Sequence, residues 1–343
     1  MENYTDRKII PCSNPLDFEY VEELAYGKGK VLSLEDDDIE SLEGNTTYSF
    51  LSLKNCKNLR SLGDNISGEK INLTGCTALT KLPSGLLASF LNISRTGILE
   101  IPEDLGVTYD LRASYSSLTT LPKNFSMDGT LSLDHCSNLE ELPKGISIGE
   151  DLNLSECENL RELPNHLCVG HKLILQGASI NALPSDLKVG GDIDLRGSYL
   201  DSLPDNFKVA GNLNLHFCQN LKTLPKGMVV LGDLDITKTD IKVLPEDLIV
   251  CGRLYTDSTE IKIPRSTQIY GGSSLNDFEI QKRLVSRYPY LQFDENYLSF
   301  EQELYYIAFH RADIWILYRV GGHKLMYVMY KDDFGNYVEE WVP

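Results

Sequence analysis

Apolar and polar residues alternate along this chain in short, regularly repeated pieces. Leu51-Ser52-Leu53, Ile71-Asn72-Leu73, Leu131-Ser132-Leu133, Leu213-Asn214-Leu215 and Leu234-Asp235-Ile236 share the pattern apolar, polar, apolar. A period of two puts the flanking aliphatics on one side of a strand and the middle residue on the other. The aliphatics are expected to face the interior and the middle residues to face solvent. A second aliphatic, followed by proline in ten cases, punctuates the chain from Leu82-Pro83 to Ile263-Pro264. Leu42 and Leu62 extend the series backwards without the proline, which gives twelve registers at steps of 19, 20 or 21 residues.

One such unit is too small to bury its own apolar side, but stacked units share a continuous core. Strands about 4.8 Å apart would form a parallel sheet roughly 50 Å long on the concave side. The rest of each unit is short, as in Pro184-Ser185-Asp186-Leu187-Lys188-Val189-Gly190-Gly191. A leading proline and trailing glycines leave little room for a helix. An extended or 3₁₀ convex side is expected, with Leu187 and Val189 pointing inward.

Five of the eight cysteines occupy one place, three residues after the second strand aliphatic: Cys56, Cys76, Cys136, Cys157 and Cys218. In these units the next aliphatic follows three residues later. In the other seven, where the slot holds Asp37, Thr96, Ser116, Ala178, Ser198, Thr239 or Thr259, it follows after two. Cysteine therefore marks the longer turn. No Cys-x-x-Cys pair is present, so the thiols read as small buried side chains that fill the turn, kept reduced in an intracellular setting. The sequons at Asn72, Asn92 and Asn153 lie on strands, where a glycan would cover the concave face.

The net charge is −18 and the sequence pI about 4.8. Nucleic acid and anionic membrane are excluded as expected partners, because both are bound through Lys and Arg. A basic protein partner fits that charge. No apolar run reaches the roughly 18 residues of a membrane span, and Met1 to Phe18 has no basic region followed by an apolar one, so no signal peptide is expected.

The unit L-x-L-x-x-C-x-x-L-x-x-L-P, complete in Leu152 to Pro164, resembles that of leucine-rich-repeat proteins over about residues 31–264. Its Leu-Pro steps and short length resemble the repeats of bacterial effectors delivered into host cells, and the cysteine units are similar to repeats of plant immune receptors. The resemblance implies an α/β-type leucine-rich-repeat solenoid, mostly β, with a parallel concave sheet and a non-helical convex side. It also implies a virulence protein that binds a host protein, held in the bacterial cytoplasm before delivery by a non-classical route. Some such effectors add a ubiquitin-ligase domain with a catalytic Cys-x-Asp. Nothing after Cys251 is a cysteine, so ligase activity is not carried over.

Residues 1–30 read as a capping segment, with Asn14-Pro15 opening a helix that ends at Gly27. Residues 265–343 read as a small α+β module. It has helices at Leu275–Tyr288 and from Ser299 through His310, a hairpin of Ile314–Val320 and Lys324–Tyr330, and a strand near Tyr337–Trp341. The six histidines form no metal-spaced cluster, no nucleophile elbow or phosphate loop is present, and no cofactor is expected. A monomer that binds protein through its middle strand residues is the leading reading. An enzyme with its site in 265–343, and an intracellular bacterial scaffold, remain the alternatives. The expected contact residues are Arg112, Asn153, Asp194, Arg196, Asn214, His216, Asp235 and Tyr255.

Overall fold

The computed structural model describes residues 29–257, 261–264 and 266–269, and the backbone of four strands between Tyr305 and Val342. The described repeats form a parallel β-solenoid of about twelve turns at a spacing of about 20 residues, with no helix. Contacts divide the chain into two compact units, residues 1–159 and 160–343. In the first, seven parallel strands follow one another in order from Lys30–Ser33 to Leu152–Asn153. In the second, five run from Leu173–Ile174 to Leu254–Tyr255.

The register is that of a chain stacked on itself. Ser52 pairs with Asn72 and Asn72 with Asn92; Asp194 pairs with Asn214, Asn214 with Asp235, and Asp235 with Tyr255. The flanking aliphatics make the core as expected: Leu51, Leu53, Leu131, Leu133, Leu213 and Leu215 are buried. Each such leucine contributes about 1.5–3 kcal/mol on burial. Opposite the main ladder, second parallel pairs form, such as Cys168–Val169 on Lys188–Val189 and Val229–Val230 on Ile249–Val250. Val189 is buried as expected; Leu187 is half-buried.

The middle residues do not all face water. Ser52, Asn72, Asn92 and Asp194 are buried, which corrects the alternation rule. The Asn and Asp side chains fold back onto the turn that follows. Asn72 Oδ1 accepts from Thr74 N and Oγ1, and Asn153 Oδ1 accepts from Ser155 N and Oγ. Asn92 does the same with Ser94 N. Such Asx turns satisfy backbone donors at the strand end. The same geometry accounts for the three sequons: the Ser or Thr two residues on is the turn partner of the Asn.

Where the strands of the main ladder end, from Lys30–Ser33 to Leu234–Asp235, the chain takes one residue in the left-handed region. Asp36, Asn55, Gly75, Arg95, Tyr115, His135 and Glu156 do so in the first unit, and Gly177, Gly197, Phe217 and Lys238 in the second. The conformation adds one more rung to the ladder. Arg95 N donates to Ser114 O, Tyr115 N to Asp134 O, and Phe217 N to Thr237 O.

The cysteine slot is fully buried at Cys56, Cys76, Cys136, Cys157 and Cys218. Each thiol donates to the strand-end carbonyl of the turn before, as Cys76 Sγ does to Leu53 O at 2.9 Å and Cys157 Sγ to Leu133 O at 3.1 Å. That carbonyl already accepts the N–H of its own turn, Cys56 N or Cys136 N, so both its lone pairs are used. In the shorter turn a threonine serves its own carbonyl instead: Thr96 Oγ1 donates to Ile93 O and Thr239 Oγ1 to Ile236 O. The longer turn also gains a bond from the next aliphatic to the cysteine, such as Leu139 N to Cys136 O. The thiols are free among the described residues, as the structural reading of them requires.

Gly191, Gly211, Gly232 and Gly252 stack at the corner that precedes the strands of the second unit, each N–H after the first donating to the glycine before it. A Cβ on Gly232 would lie 2.7 Å from the Gly211 carbonyl carbon. Recurrence at one repeat position makes these glycines a packing device.

The tail departs from expectation at one element. Tyr305–His310, read as the end of a helix, is a strand paired antiparallel with Asp313–Val320. Its run of Tyr, Ile and Phe favours a pleated surface, and that preference outweighs the capping box at Ser299. Asp313–Val320 also pairs with His323–Lys331, which pairs with Tyr337–Val342. The helix expected at Leu275–Tyr288 and the capping segment at 1–28 lie outside the described residues.

Two outcomes follow from this packing. Gly232→Ala should lower the unfolding free energy by about 1–3 kcal/mol, the cost of overpacking; an unchanged urea midpoint would show that the glycine column can spread. Burial pushes the Cys76 and Cys157 thiols up to about 12 from 9.0. The folded state therefore holds these protons more tightly than the unfolded chain. Their contribution is fully present below about pH 9 and lost as pH rises toward 12. Ultraviolet absorbance should show thiolate from these two cysteines appearing well above the pH at which it appears in the denatured chain.

Candidate functional site

The expected contact residues fall in two groups, one in each unit. In the first unit, Arg112 lies 3.6 Å from Asp110, and Asn153 Nδ2 donates to Asp134 Oδ1 at 3.4 Å. Around them stand aromatic residues that sequence reasoning passed over. Tyr109, 56% exposed, stacks on Phe90 at 5.3 Å, and Lys70 lies 5.8 Å over the Phe90 ring. At the left-handed positions, Tyr115 is sandwiched between the Arg95 guanidinium at 4.8 Å and the His135 ring at 4.2 Å. His135 Nδ1 lies 3.3 Å from Asp134 Oδ2. The signal was available: Arg95, Tyr115 and His135 hold the same repeat position in successive turns.

In the second unit the structure brings Asp194, Asn214, Asp235 and Tyr255 onto neighbouring strands, with Arg196 and His216 in the turns that follow them. Most of their polar atoms serve the fold. Asp194 Oδ1 accepts from Arg196 N at 3.2 Å, and its carboxylate takes Arg196 Nε and Nη2 in a two-pronged pair at 2.8–3.0 Å. The hydrogen bond to Asp194 raises the Arg196 pKa further above its ordinary value. Asn214 Oδ1 accepts from His216 N, and Asp235 Oδ1 from Thr237 N and Oγ1. Two residues earlier than Asp194, Asn214 and Asp235, the residues Asp192, Asn212 and Asp233 form a ladder of their own. Asp192 Oδ1 accepts from Asn212 N, Asn212 Oδ1 from Asp233 N, and Asp233 Oδ1 from Arg253 N, each at 2.7 Å. Tyr255 Oη donates to Asp233 Oδ2 at 3.4 Å.

Charge reversal at Asp194 or Asp235 would therefore unseat a turn. The side chains that do not hold the turns together lie at its edge. His216 Nδ1 is 2.6 Å from Thr237 Oγ1, and its ring lies 5.9 Å from that of Phe217. Phe217 is 51% exposed with φ at +65°. The preceding turn has Gly197 at that position, and no ring stacks on Phe217 from that side. Lys238 in the next turn pairs with Asp257 at 3.0 Å, and hydrogen bonding from Lys238 lowers the Asp257 pKa.

An open groove of about 550 Å³ crosses the first unit beside Leu87, with a Thr47–Ser67 hydroxyl pair and Glu69 among its lining. No group of three metal-binding side chains occurs among the described residues. No helix of the described residues is long and apolar enough to cross a membrane.

The stacked register and the two edge arrays define a parallel β-solenoid repeat protein. Neither the family models nor the curated proteins nor the solved structures compared with this chain gave a match.

The two aromatic positions predict opposite responses to glycine. Phe217→Gly removes a half-exposed ring and relieves a left-handed backbone, worth about 1–3 kcal/mol of strain against about 0.5–1 kcal/mol of glycine entropy. Its urea midpoint should be unchanged or higher. Tyr115→Gly loses the guanidinium and imidazole contacts and should be less stable than Phe217→Gly. Equal midpoints for the two variants would contradict this distinction.

Proposed function

We propose that the chain is a protein-binding solenoid of leucine-rich-repeat type, a bacterial effector that engages a host protein through the exposed face of its parallel sheet and the turn edge that borders it. In this reading residues 265–343 form a small α+β module, and the net charge of −18 steers a basic partner toward the repeats. The observation that carries it is Phe217. A bulky aromatic is held with φ at +65° and left half in water, where the turn before uses glycine. Strained positions of this kind cluster at ligand clamps and active sites, and exposed aromatics anchor interfaces. Tyr199 and Tyr115, 58% and 47% exposed, add residues of the same type. The buried thiols and turn-forming carboxylates have structural work that explains them; Phe217 does not.

The test is affinity capture from eukaryotic cell lysate with the intact chain beside the double variant Phe217→Gly, Tyr255→Ala. A host protein held by the intact chain and lost by the folded variant is the expected result. Retention of the same proteins by both would remove the sheet face from consideration.

A further inference from the structure

We infer that His216 and Phe217 form a reading site for a cationic side chain, lysine or arginine, of a protein partner, with His216 Nε2 as the accepting atom. This rests on the protein-binding reading above and names the chemistry of the contact.

The argument begins with one proton. Thr237 Oγ1 lies 2.6 Å from Asp235 Oδ1 and 2.6 Å from His216 Nδ1. A hydroxyl has one hydrogen, and an ionised carboxylate can only accept. The hydroxyl therefore donates to Asp235, and its oxygen must accept from His216. Nδ1 carries the imidazole hydrogen, and in the neutral ring Nε2 is left with its lone pair. The hydrogen bond made by one ring nitrogen sets the role of the other. Asp235 itself is fixed by Thr237 N at 2.9 Å, so the relay is anchored to the backbone.

The surroundings favour a cation at that lone pair. Residues 192–197, 212–217 and 233–238 are the three turn segments centred on His216. They carry Asp192, Asp194, Asp233 and Asp235 against Arg196 and Lys238. Arg196 is engaged by Asp194, and Lys238 by Asp257 of the next turn. Asp192, Asp233 and Asp235 accept from backbone N–H groups and hydroxyls, which leaves their charge in place. An anionic group would meet these carboxylates and an acceptor nitrogen. An ammonium or guanidinium would meet an acceptor, a negative field and the Phe217 ring. The two ring centroids lie 5.9 Å apart, so the aromatic face and the acceptor nitrogen share one edge, and aromatic faces attract cations.

The probe is a capped tetralysine peptide, with capped tetraglutamate as control, added at neutral pH and low salt to the full chain. Nitrogen-15 spectra of the neutral imidazole should show the hydrogen on Nδ1 and Nε2 without one. Tetralysine should shift His216 and Phe217, and tetraglutamate should not. Thr237→Val removes the relay and should weaken tetralysine binding about five- to tenfold, the scale of one ordinary hydrogen bond; Thr237→Ser should restore it. Phe217→Gly, which leaves the turn intact, should weaken it as well. The neutral-ring hydrogen on Nε2, an unmoved His216, or tetralysine binding by Thr237→Val and Phe217→Gly as tight as that of the parent chain would overturn the inference. If His216 is unmoved while the aromatic double variant still loses its captured host protein, this site fails and the binding function survives. If tetralysine binds at His216 while capture is unaffected by the double variant, the reverse holds.

Discussion

Within each unit the described turns hydrogen-bond to the same position of the next turn, and that constraint governs the choice of residue almost everywhere. In an ordinary globular fold a side chain meets unlike neighbours. Here Asp194 meets Asn214, and Asn214 meets Asp235. A residue type is tolerated only if it can be stacked on its counterpart about 4.8 Å away. Glycine columns persist where backbone meets backbone, and aliphatics persist in the core. Asn and Asp persist where each side chain can supply an acceptor to a backbone N–H.

This constraint separates structural polarity from displayed polarity. Asp194, Asn214 and Asp235 sit on the sheet face, but their oxygens close the turns that leave the strands. Phe217, the outward nitrogen of His216 and the stacked Tyr115 column lie two or three residues further along, where the chain has already turned. A solenoid of this kind places its stabilising groups mid-strand and its variable groups at the turn edge. The chemistry available to a partner is concentrated at that edge.

Much of the architecture was legible in the sequence because the repeat is strict. The period, the inward aliphatics and the buried cysteines followed from spacing alone, and the difference between the two turn lengths was visible before its cause. Its cause needed coordinates: Cys76 reaches back to Leu53, whereas Thr96 serves Ile93 of its own turn. The candidate site was less legible. Alternation assigned Asn72 and Asp194 to solvent because a period of two carries no information about side chains that fold back onto the backbone. It also passed over Phe217 and Tyr115, which lie outside the alternating segment and owe their exposure to a positive φ. At Tyr305–His310 a capping-box signal lost to the strand preference of the segment and its pairing with the next strand.

The two turn lengths have an evolutionary consequence. The extra residue of a cysteine turn is absorbed within that turn, between Cys136 and Leu139 for example, and the strand that follows resumes the common register. Length variation is therefore local and does not propagate. A gene encoding such units can lengthen by unequal crossover between any two of them, whether the junction joins like turns or unlike ones. The descendant ladder stays in phase, while the residues at the edge of each copied turn are left to diverge.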